Sequence, residues 1–560
     1  MRPLRAGKAL AGFLTLPRTV ALLLTASLLL GLGHIALLPP WEGFDETGHY
    51  SYIQQVAATG RWTRPGDMMS KDIDDYLKLA PASENVPLEW TYHQFFGAGP
   101  TIIARGRQAV HEAPAVSRSF APGRIGNWQA QHPPLYYYLM APAYLLSNGW
   151  SLGAQLFLLR ALSYLIGWGS LAILVIVALR RFRHDERVGM LLPLALGLWP
   201  VMFPMWFPEI ARIGNDSLIV LFAACTLLLL DRAARQRTMA QHALLGATLG
   251  LALLTKATFL PVAAAVAAVL AGLTWSARAR PDERARRLKG LGLCLLLAAC
   301  ISAWWYAGIF LDTGSLIGSN DVAKMTTPGG MLSELGNALT RYRVMLTAWV
   351  LATSFLWYGT WSFVQPPWIT MVPFFGLVAM LLFGAWCYYR QRGGLRLPDW
   401  LALLTLLLFL VALGYHSVIL LIATGNPAPT WYLHSLSPIL ALLVGCGIAG
   451  AAGVTWLRGL MTFILVYALI FLPAATFLNV LFFAGCAPLI PGRRYFRLDE
   501  GVGCLMDLPR IYNNLNVLTM PSIGIVFFLG GSIAMFAGAT AALRHLPALG
   551  NRKSRMDRPA

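Results

Sequence analysis

The sequence has few charged residues for its length. Only 12% of the 560 residues are charged, whereas 57% are apolar. Many apolar runs approach the roughly 20 residues that a helix needs to cross a bilayer. This composition excludes a soluble globular protein. Because the runs are continuous and do not alternate with polar residues, they predict membrane-spanning helices, which satisfy their backbone polar groups internally.

Acidic residues are scarcer than basic ones. The chain has 25 Asp and Glu against 44 Lys and Arg, which gives a formal charge of +19. The basic residues lie in short clusters between apolar runs, a pattern typical of cytoplasmic membrane loops. We therefore interpret the charge as a signature of membrane topology and predict no nucleic-acid partner.

Two kinds of signal are missing from the chain. No small-residue cleavage site precedes Pro39 and Pro40, so the basic N-terminus and the apolar run after it predict an uncleaved first span. Repeats of fixed period and low-complexity tracts are also lacking, and no inverted repeat is visible. The sequence thus predicts one integral membrane domain over residues 1–560.

Cysteines are few, and most lie in apolar runs. Five of the seven are predicted to be small core residues. Cys486 and Cys504 instead lie in a polar segment that the topology places outside. An oxidising compartment would allow this pair to form a disulfide, with two free thiols as the alternative.

The apolar runs predict about 12 spans with both termini cytoplasmic, because every basic loop then falls inside. The first outer loop, residues 39–133, is the largest, and further outer segments cover 310–345 and 483–520. Residues 134–148 and 350–367 are predicted to be re-entrant or interfacial helices. The predicted spans are 17–38, 153–179, 188–206, 217–231, two within 242–275, 290–309, 368–389, 399–422, 434–455, 459–482 and 521–543.

The polar stretch after the first span carries an unusual set of side chains. If it is helical, Glu42, Asp45, Glu46 and His49 fall on one face. Three carboxylates and an imidazole beside a membrane segment predict a functional cluster. The alternative is an interfacial helix that turns this face to water.

Other ionisable residues are predicted to lie near the same outer surface. A lipid phosphate head requires cations, and a hydroxyl that loses its proton requires a carboxylate. Structural roles are the alternative for each: a snorkelling lysine, an ion pair between Arg212 and Asp216, a turn cap at His132 or an interface anchor at His434. The residues that share this predicted side are His132, Glu209, Arg212, Asp216, Lys256, Arg341, Arg343, His416 and His434.

Four stretches in order resemble the polytopic GT-C glycosyltransferases that use polyprenyl-phosphate sugars: residues 44–49, 131–137, 250–256 and 304–306. The resemblance covers residues 1 to about 310. It is strongest to protein O-mannosyltransferases, lipid A aminoarabinose transferases and a bacterial set with a Pro-Asp-Glu-x-x-His signature. The chain departs from that set by having Phe44 in place of proline and by lacking an arginine within 430–434.

The resemblance implies an all-α, GT-C-like membrane enzyme of the bacterial inner membrane. A polyprenyl-phosphate-linked sugar would be transferred, with inversion, to a hydroxyl of a lipid, glycan or protein at the periplasmic face. Asp45 is then the predicted general base, with Glu46 as its substitute or orienting group. The predicted substrate-binding residues are His49, His132, Arg212, Asp216, Lys256 and His434.

Two points stay open at the level of sequence. No cofactor is required by the pattern, but a divalent metal on Asp45 and His49 is one option, since carboxylate and imidazole bind such ions. The alternative functions are a transporter or flippase of lipid-linked sugars, which would place its charges near the middle of the membrane, and an O-antigen polymerase or ligase. A structural membrane subunit is a third alternative. The sugar, the acceptor and the length of the lipid are not predicted.

Overall fold

The computed structural model describes residues 15–83, 89–182, 185, 187–236, 238–318, 343–364, 366–392, 394–424, 427–486 and 503–550. The predicted outer segments 310–345 and 483–520 therefore lie partly outside the described residues, as does Arg341. In the described part the chain is almost wholly helical. This confirms the predicted all-α class.

The helices, in chain order, are α1 Leu16–Leu37, α2 Glu46–Thr59, α3 Lys71–Leu77, α4 Tyr92–Gly97, α5 Pro100–His111, α6 Leu135–Leu146, α7 Leu152–Arg181, α8 Leu192–Met202, α9 Trp206–Ile210, α10 Asp216–Gln236, α11 Met239–Leu253, α12 Leu260–Ser276, α13 Pro281–Thr313, α14 Arg343–Thr353, α15 Val372–Arg392, α16 Leu397–Thr424, α17 Ser437–Ala452, α18 Thr455–Phe483, α19 Leu508–Leu518 and α20 Pro521–Gly550. Short 3₁₀ or π turns occupy Trp128–Gln131, Arg187–Leu191, Ala257–Phe259, Trp368–Met371 and Thr430–Leu436. One small antiparallel sheet pairs β1 Met68–Ser70 with β2 Pro122–Gly126, and Met68 lies opposite Gly126.

Ten of the described helices are long and apolar enough to cross a membrane: α1, α7, α10, α12, α13, α15, α16, α17, α18 and α20, three of them counted with the 3₁₀ turn that precedes them. The other two predicted spans, 188–206 and the first within 242–275, are occupied by shorter apolar helices, Arg187–Met202 and Met239–Leu253. Helix α6 has only 12 residues, which is short for a span.

The spans pack through small residues, as lipid-embedded helices commonly do. Helix α1 lies along α20, where a Cβ on Gly33 would sit 2.9 Å from the backbone nitrogen of Phe528. Helices α15 and α17 approach even more closely, since a Cβ on Gly450 would sit 1.8 Å from the carbonyl oxygen of Gly384. These glycines allow backbones to touch, and a larger residue there would separate the helices.

The first outer loop forms a cap over one end of the bundle. Helix α2 packs on α6, on β1 and on the turn at Trp128–Gln131. Helix α5 packs on α7 and α19. The cap therefore holds the start of α2, which carries the predicted catalytic residues, against the helices of the membrane domain.

Candidate active site

The turn between α1 and α2 positions the predicted catalytic residues. Trp41 and Asp45 both have left-handed backbone conformations, with φ of 66° and 56°. Gly43 is needed for close approach, because a Cβ there would lie 2.9 Å from the carboxyl group of Glu46. The helix begins only at Glu46, so the expected single helical face of Glu42, Asp45, Glu46 and His49 is wrong. The left-handed residues break the helix before it can include the first two.

Asp45 is partly exposed at the bottom of this turn. Its Oδ1 accepts a hydrogen bond of 2.7 Å from the indole Nε1 of Trp128. Among the residues that the structure describes, no cation forms an ion pair with it. Burial raises the pKa of Asp45, and the positive charges of Arg212 and Lys256 oppose that rise. Asp45 is therefore a carboxylate near two cations that is bound to neither.

Glu46 is held in a different way. Its Oε2 lies 2.5 Å from Nη2 of Arg160, and its Oε1 accepts bonds from Arg160 Nε at 2.8 Å and from the Ile213 amide at 3.2 Å. Arg160 also donates to the carbonyl oxygens of Leu38 and Pro39. Both side chains are buried. The pair ties α7 to the turn and leaves neither oxygen of Glu46 free of a protein donor.

Arg212, Asp216 and Lys256 form a buried network beside Asp45. Lys256 Nζ lies 2.7 Å from both carboxylate oxygens of Asp216, and Nη2 of Arg212 lies 2.9 Å from Oδ2 of the same group. Arg212 also donates to Glu209 at 3.1 Å and to the Phe44 carbonyl at 2.9 Å. The last bond joins the cations to the turn that carries Asp45.

Two histidines line another side of the site. The rings of His49 and His132 are stacked with their centroids 6.0 Å apart, and His49 Nδ1 lies 2.9 Å from the hydroxyl of Tyr137. Burial lowers the pKa of His132 to about 3 and that of His49 well below its usual value, with nearby Arg212 and Lys256 adding to the effect. Both rings are therefore neutral at pH 7 and add no positive charge.

The structure does not bring His434 into this network. It is fully buried, its Nδ1 accepts from Trp199 Nε1 at 3.2 Å, and its Nε2 lies 2.9 Å from the carbonyl oxygen of Phe355. Its ring also stacks on Phe355. These contacts pack the turn before α17 against α8 and the segment after α14.

Two residues at the site were not predicted to act there: Trp128 donates to Asp45, and Tyr432 lies with its ring 4.7 Å from Lys256 Nζ. Glu209, which was predicted to lie on the same side but was given no role, shares Arg212 with Asp216. The spacing of Glu209 three residues before Arg212 is a signal for an ion pair. No local pattern marks Trp128 or Tyr432, because each reaches the site only through the tertiary fold.

The described residues offer little for a metal ion. Nowhere among them are three His, Cys, Asp or Glu side chains grouped so as to hold one. Asp45 and His49, the predicted pair, form hydrogen bonds with Trp128 and Tyr137. Two donors already engaged elsewhere fit poorly with the four or more ligands that divalent ions usually take.

Part of the chain matches the model of a known protein family. Residues 131–306 match the model described as dolichyl-phosphate-mannose-protein mannosyltransferase. The predicted resemblance to GT-C glycosyltransferases is confirmed, and the predicted class of enzyme with it. The match covers about a third of the chain and includes His132, Arg160, Arg212, Asp216 and Lys256.

Solved structures also align with the chain. One is ArnT from Cupriavidus metallidurans bound to undecaprenyl phosphate, at 15% identity and a TM-score of 0.44, covering 94% of this chain and 77% of that one. Another is the archaeal oligosaccharyltransferase AglB from Archaeoglobus fulgidus in complex with an inhibitory peptide and a dolichol-phosphate, at 12% identity and a TM-score of 0.36, covering 90% and 56%. No protein of curated function matches the chain in sequence.

Proposed function

We propose that this protein transfers a sugar from a polyprenyl-phosphate donor to a hydroxyl of a lipid, glycan or protein acceptor, with inversion at the anomeric carbon. Asp45 is the general base. One observation carries the proposal: Asp45 is partly exposed and unpaired, while a buried pair of cations, Arg212 and Lys256, lies beside it. A hydroxyl and a phosphate need these two environments side by side.

The roles follow from the chemistry of the transfer. The acceptor oxygen forms a bond to the anomeric carbon while the bond from that carbon to the phosphate oxygen breaks. The acceptor proton goes to Asp45, and the electrons of the broken bond go to the phosphate. Arg212 and Lys256 stabilise the charge that develops there, as fixed cations do in a site with little water. The neutral rings of His49 and His132 serve as hydrogen-bonding groups for the substrates.

Glu46 orients the site and does not act as a base. Arg160 and the Ile213 amide occupy its carboxylate, so an acceptor hydroxyl would have to displace them. The substrate-binding role of His434 stays a prediction from the sequence, because both of its ring nitrogens lie within hydrogen-bond distance of Trp199 and Phe355. No step is assigned to a metal ion.

The proposed location is the periplasmic face of the bacterial inner membrane. Helix α7 carries Arg160 in its third turn, α10 begins at Asp216, and α12 begins shortly after Lys256. The same three helices end near basic residues, and basic loops mark the cytoplasmic side. The Cys486–Cys504 disulfide, whose Cα atoms are 5.6 Å apart, fits an oxidising compartment.

The test is sugar transfer by the purified full chain in liposomes, with a radiolabelled sugar on polyprenyl phosphate and a membrane extract as the source of acceptor. Asp45→Asn should lower the transfer rate by about 100- to 10,000-fold, the usual contribution of a general base. Asp75→Asn is the matched control, because Asp75 is a half-exposed carboxylate on α3 whose ion pairs among the described residues are with Lys71 and Lys78. It should transfer like the wild type.

Wild-type rates in Asp45→Asn would refute the assignment of the base. If the wild type moves the lipid-linked sugar between leaflets but transfers none, the chain is a flippase and the proposed function is wrong.

A further inference from the structure

The buried network beside Asp45 contains more acids than bases. Its cations are Arg212 and Lys256, and its carboxylates are Asp45, Glu209 and Asp216. Glu46 and Arg160 form a separate neutral pair, and the two site histidines are uncharged at pH 7. With every carboxylate ionised, these two cations and three carboxylates, Asp45 included, carry a net charge of −1. Such a site would repel the phosphate that the proposed function requires it to bind.

Of the two carboxylates that bind these cations, Glu209 is held less firmly than Asp216. Asp216 receives three charged contacts, two from Lys256 and one from Arg212. Glu209 receives one, from Arg212 to its Oε2 at 3.1 Å. Its Oε1 is buried and has no hydrogen-bond partner among the described residues. A buried carboxylate oxygen without a donor is unfavourable, whereas a protonated one is tolerated.

The surroundings of Glu209 on balance favour its protonated form. Those that face it are Arg212, Asp216, Lys256 and Tyr432, from the end of α9, the start of α10, the turn before α12 and the turn before α17. Burial raises the pKa of Glu209 to about 8, the negative charge of Asp216 adds to the rise, and Arg212 opposes it. Asp216 differs, because both of its carboxylate oxygens accept hydrogen bonds.

We infer that Glu209 holds the proton that lets the site accept an anionic phosphate, so that lipid phosphate binds only to the form of the enzyme with Glu209 protonated. This inference rests on the proposed function and adds a proton-linked residue to it. Glu209 is a positioning residue: it keeps the charge of Arg212 available to the ligand and touches no reacting atom.

The proton on Glu209 becomes more important after the sugar has been transferred, because the phosphate product carries more negative charge than the donor. The donor is a phosphodiester with one negative charge, and the product is a phosphomonoester that carries up to two near neutral pH. The acceptor proton goes to Asp45, so the transfer step leaves Glu209 unchanged. A neutral Glu209 then keeps two cations facing the product, with Asp216 as the remaining ionised partner of both.

The experiment measures binding of a lipid phosphate whose own charge does not change with pH. We choose the methyl ester of farnesyl phosphate, a phosphodiester, and the full chain in detergent micelles. Isothermal titration calorimetry is run at pH 7.5 and pH 9, each in two buffers of different ionisation enthalpy. The buffer dependence of the heat counts the protons taken up with each ligand.

For the wild type, affinity should fall by about 5- to 10-fold from pH 7.5 to pH 9, because the protonated fraction of Glu209 falls by that factor. Proton uptake should rise towards one per ligand at pH 9. In Glu209→Gln, which keeps an oxygen for Arg212 and stays neutral, affinity should change less than 2-fold and no proton should be taken up. Glu283→Gln, a control that removes a carboxylate between Arg280 and Arg287 in the first turn of α13, should behave like the wild type.

The outcomes separate the inference from the proposed function. Binding by the wild type with no proton uptake at pH 9 overturns the inference alone, and this result needs no variant. The same pH dependence in Glu209→Gln as in the wild type also overturns it, because the proton then resides elsewhere. If the wild type binds no lipid phosphate at either pH, both the inference and the proposed function fail. Should Glu209→Gln not fold, infrared difference spectra of the wild type at pH 9 must show a protonated carboxyl band appearing with ligand.

Discussion

Lys256 and Asp216 form a symmetric ion pair, with the ammonium nitrogen 2.7 Å from each carboxylate oxygen. Lys256 lies in the break between α11 and α12, and Asp216 begins α10. Arg212 binds the same carboxylate, so one aspartate spaces two cations next to the turn that carries Asp45. This arrangement makes the cations fixed parts of the fold.

Lys256→Met should reduce sugar transfer by about 100- to 1000-fold, the usual effect of removing one group that stabilises developing charge. Asp216 keeps Arg212, so the chain should still fold. Steady-state rates against donor concentration measure the effect. Lys256→Arg keeps the charge and is the comparison. A wild-type rate in the methionine variant would show that Lys256 only anchors Asp216.

Glu46→Gln should lower the stability of the protein, and any loss of activity should follow from that loss of stability. The substitution leaves Arg160 buried and charged without its partner, which typically lowers the free energy of unfolding by about 3–5 kcal/mol. Melting temperature in detergent measures the loss. Adding Arg160→Met removes the unpaired charge and should restore a good part of it. If Glu46→Gln melts like the wild type and loses only activity, Glu46 is part of the chemistry instead.

Glu42 should make stability depend on pH. It is fully buried and accepts bonds from Tyr92 and Ser362, and burial raises its pKa to about 7 despite those bonds. Between its unfolded pKa and pH 7 the native state binds more protons than the unfolded state. The free energy of unfolding therefore falls as pH rises through this window, by about 3 kcal/mol from this group.

Glu42→Gln cannot ionise, so its stability relative to the wild type should increase from pH 5 to pH 8. Thermal unfolding at both values, for both proteins, measures this difference. A relative stability that stays constant with pH would mean that Glu42 keeps one protonation state throughout.

The Cys486–Cys504 disulfide should stabilise the folded chain against unfolding. The bond closes a loop of 18 residues, for which chain entropy predicts about 3 kcal/mol. Cys504→Ser should lower the melting temperature, and dithiothreitol should lower that of the wild type equally. Cys387→Ser, at a free cysteine, is the control. No change in Cys504→Ser would indicate that neighbouring contacts already fix this segment.

The sequence could predict the class of fold because lipid imposes it: long apolar runs can only become helices. It also placed Lys256 in a break between two helices, where the structure has it. The conformation at the start of α2 could not be predicted from the sequence. The spacing of Glu42, Asp45, Glu46 and His49 matched a helical face, but the left-handed backbone at Trp41 and Asp45 ends that pattern.

The partners of individual side chains depend on contacts that are distant in sequence. Glu46 and Asp45 are adjacent and chemically alike, yet Arg160 binds the first and Trp128 the second. Their different roles are set by residues about 80 to 115 positions away, so no local pattern distinguishes them. The same holds for Tyr432, which reaches Lys256 from the other half of the chain.

The contact of α1 with α20 has a consequence for biogenesis. Helix α1 leads directly into the Asp45 turn, but the helix that packs along it, α20, is the last of the ten candidate spans in the described residues. Ribosomes add about 5–20 residues per second, so the two helices are made on the order of a minute apart. During that interval α1 lies in the membrane without α20 packed against the face that carries Gly33. We expect the turn that carries Asp45 to acquire its final support only after α20 has been inserted.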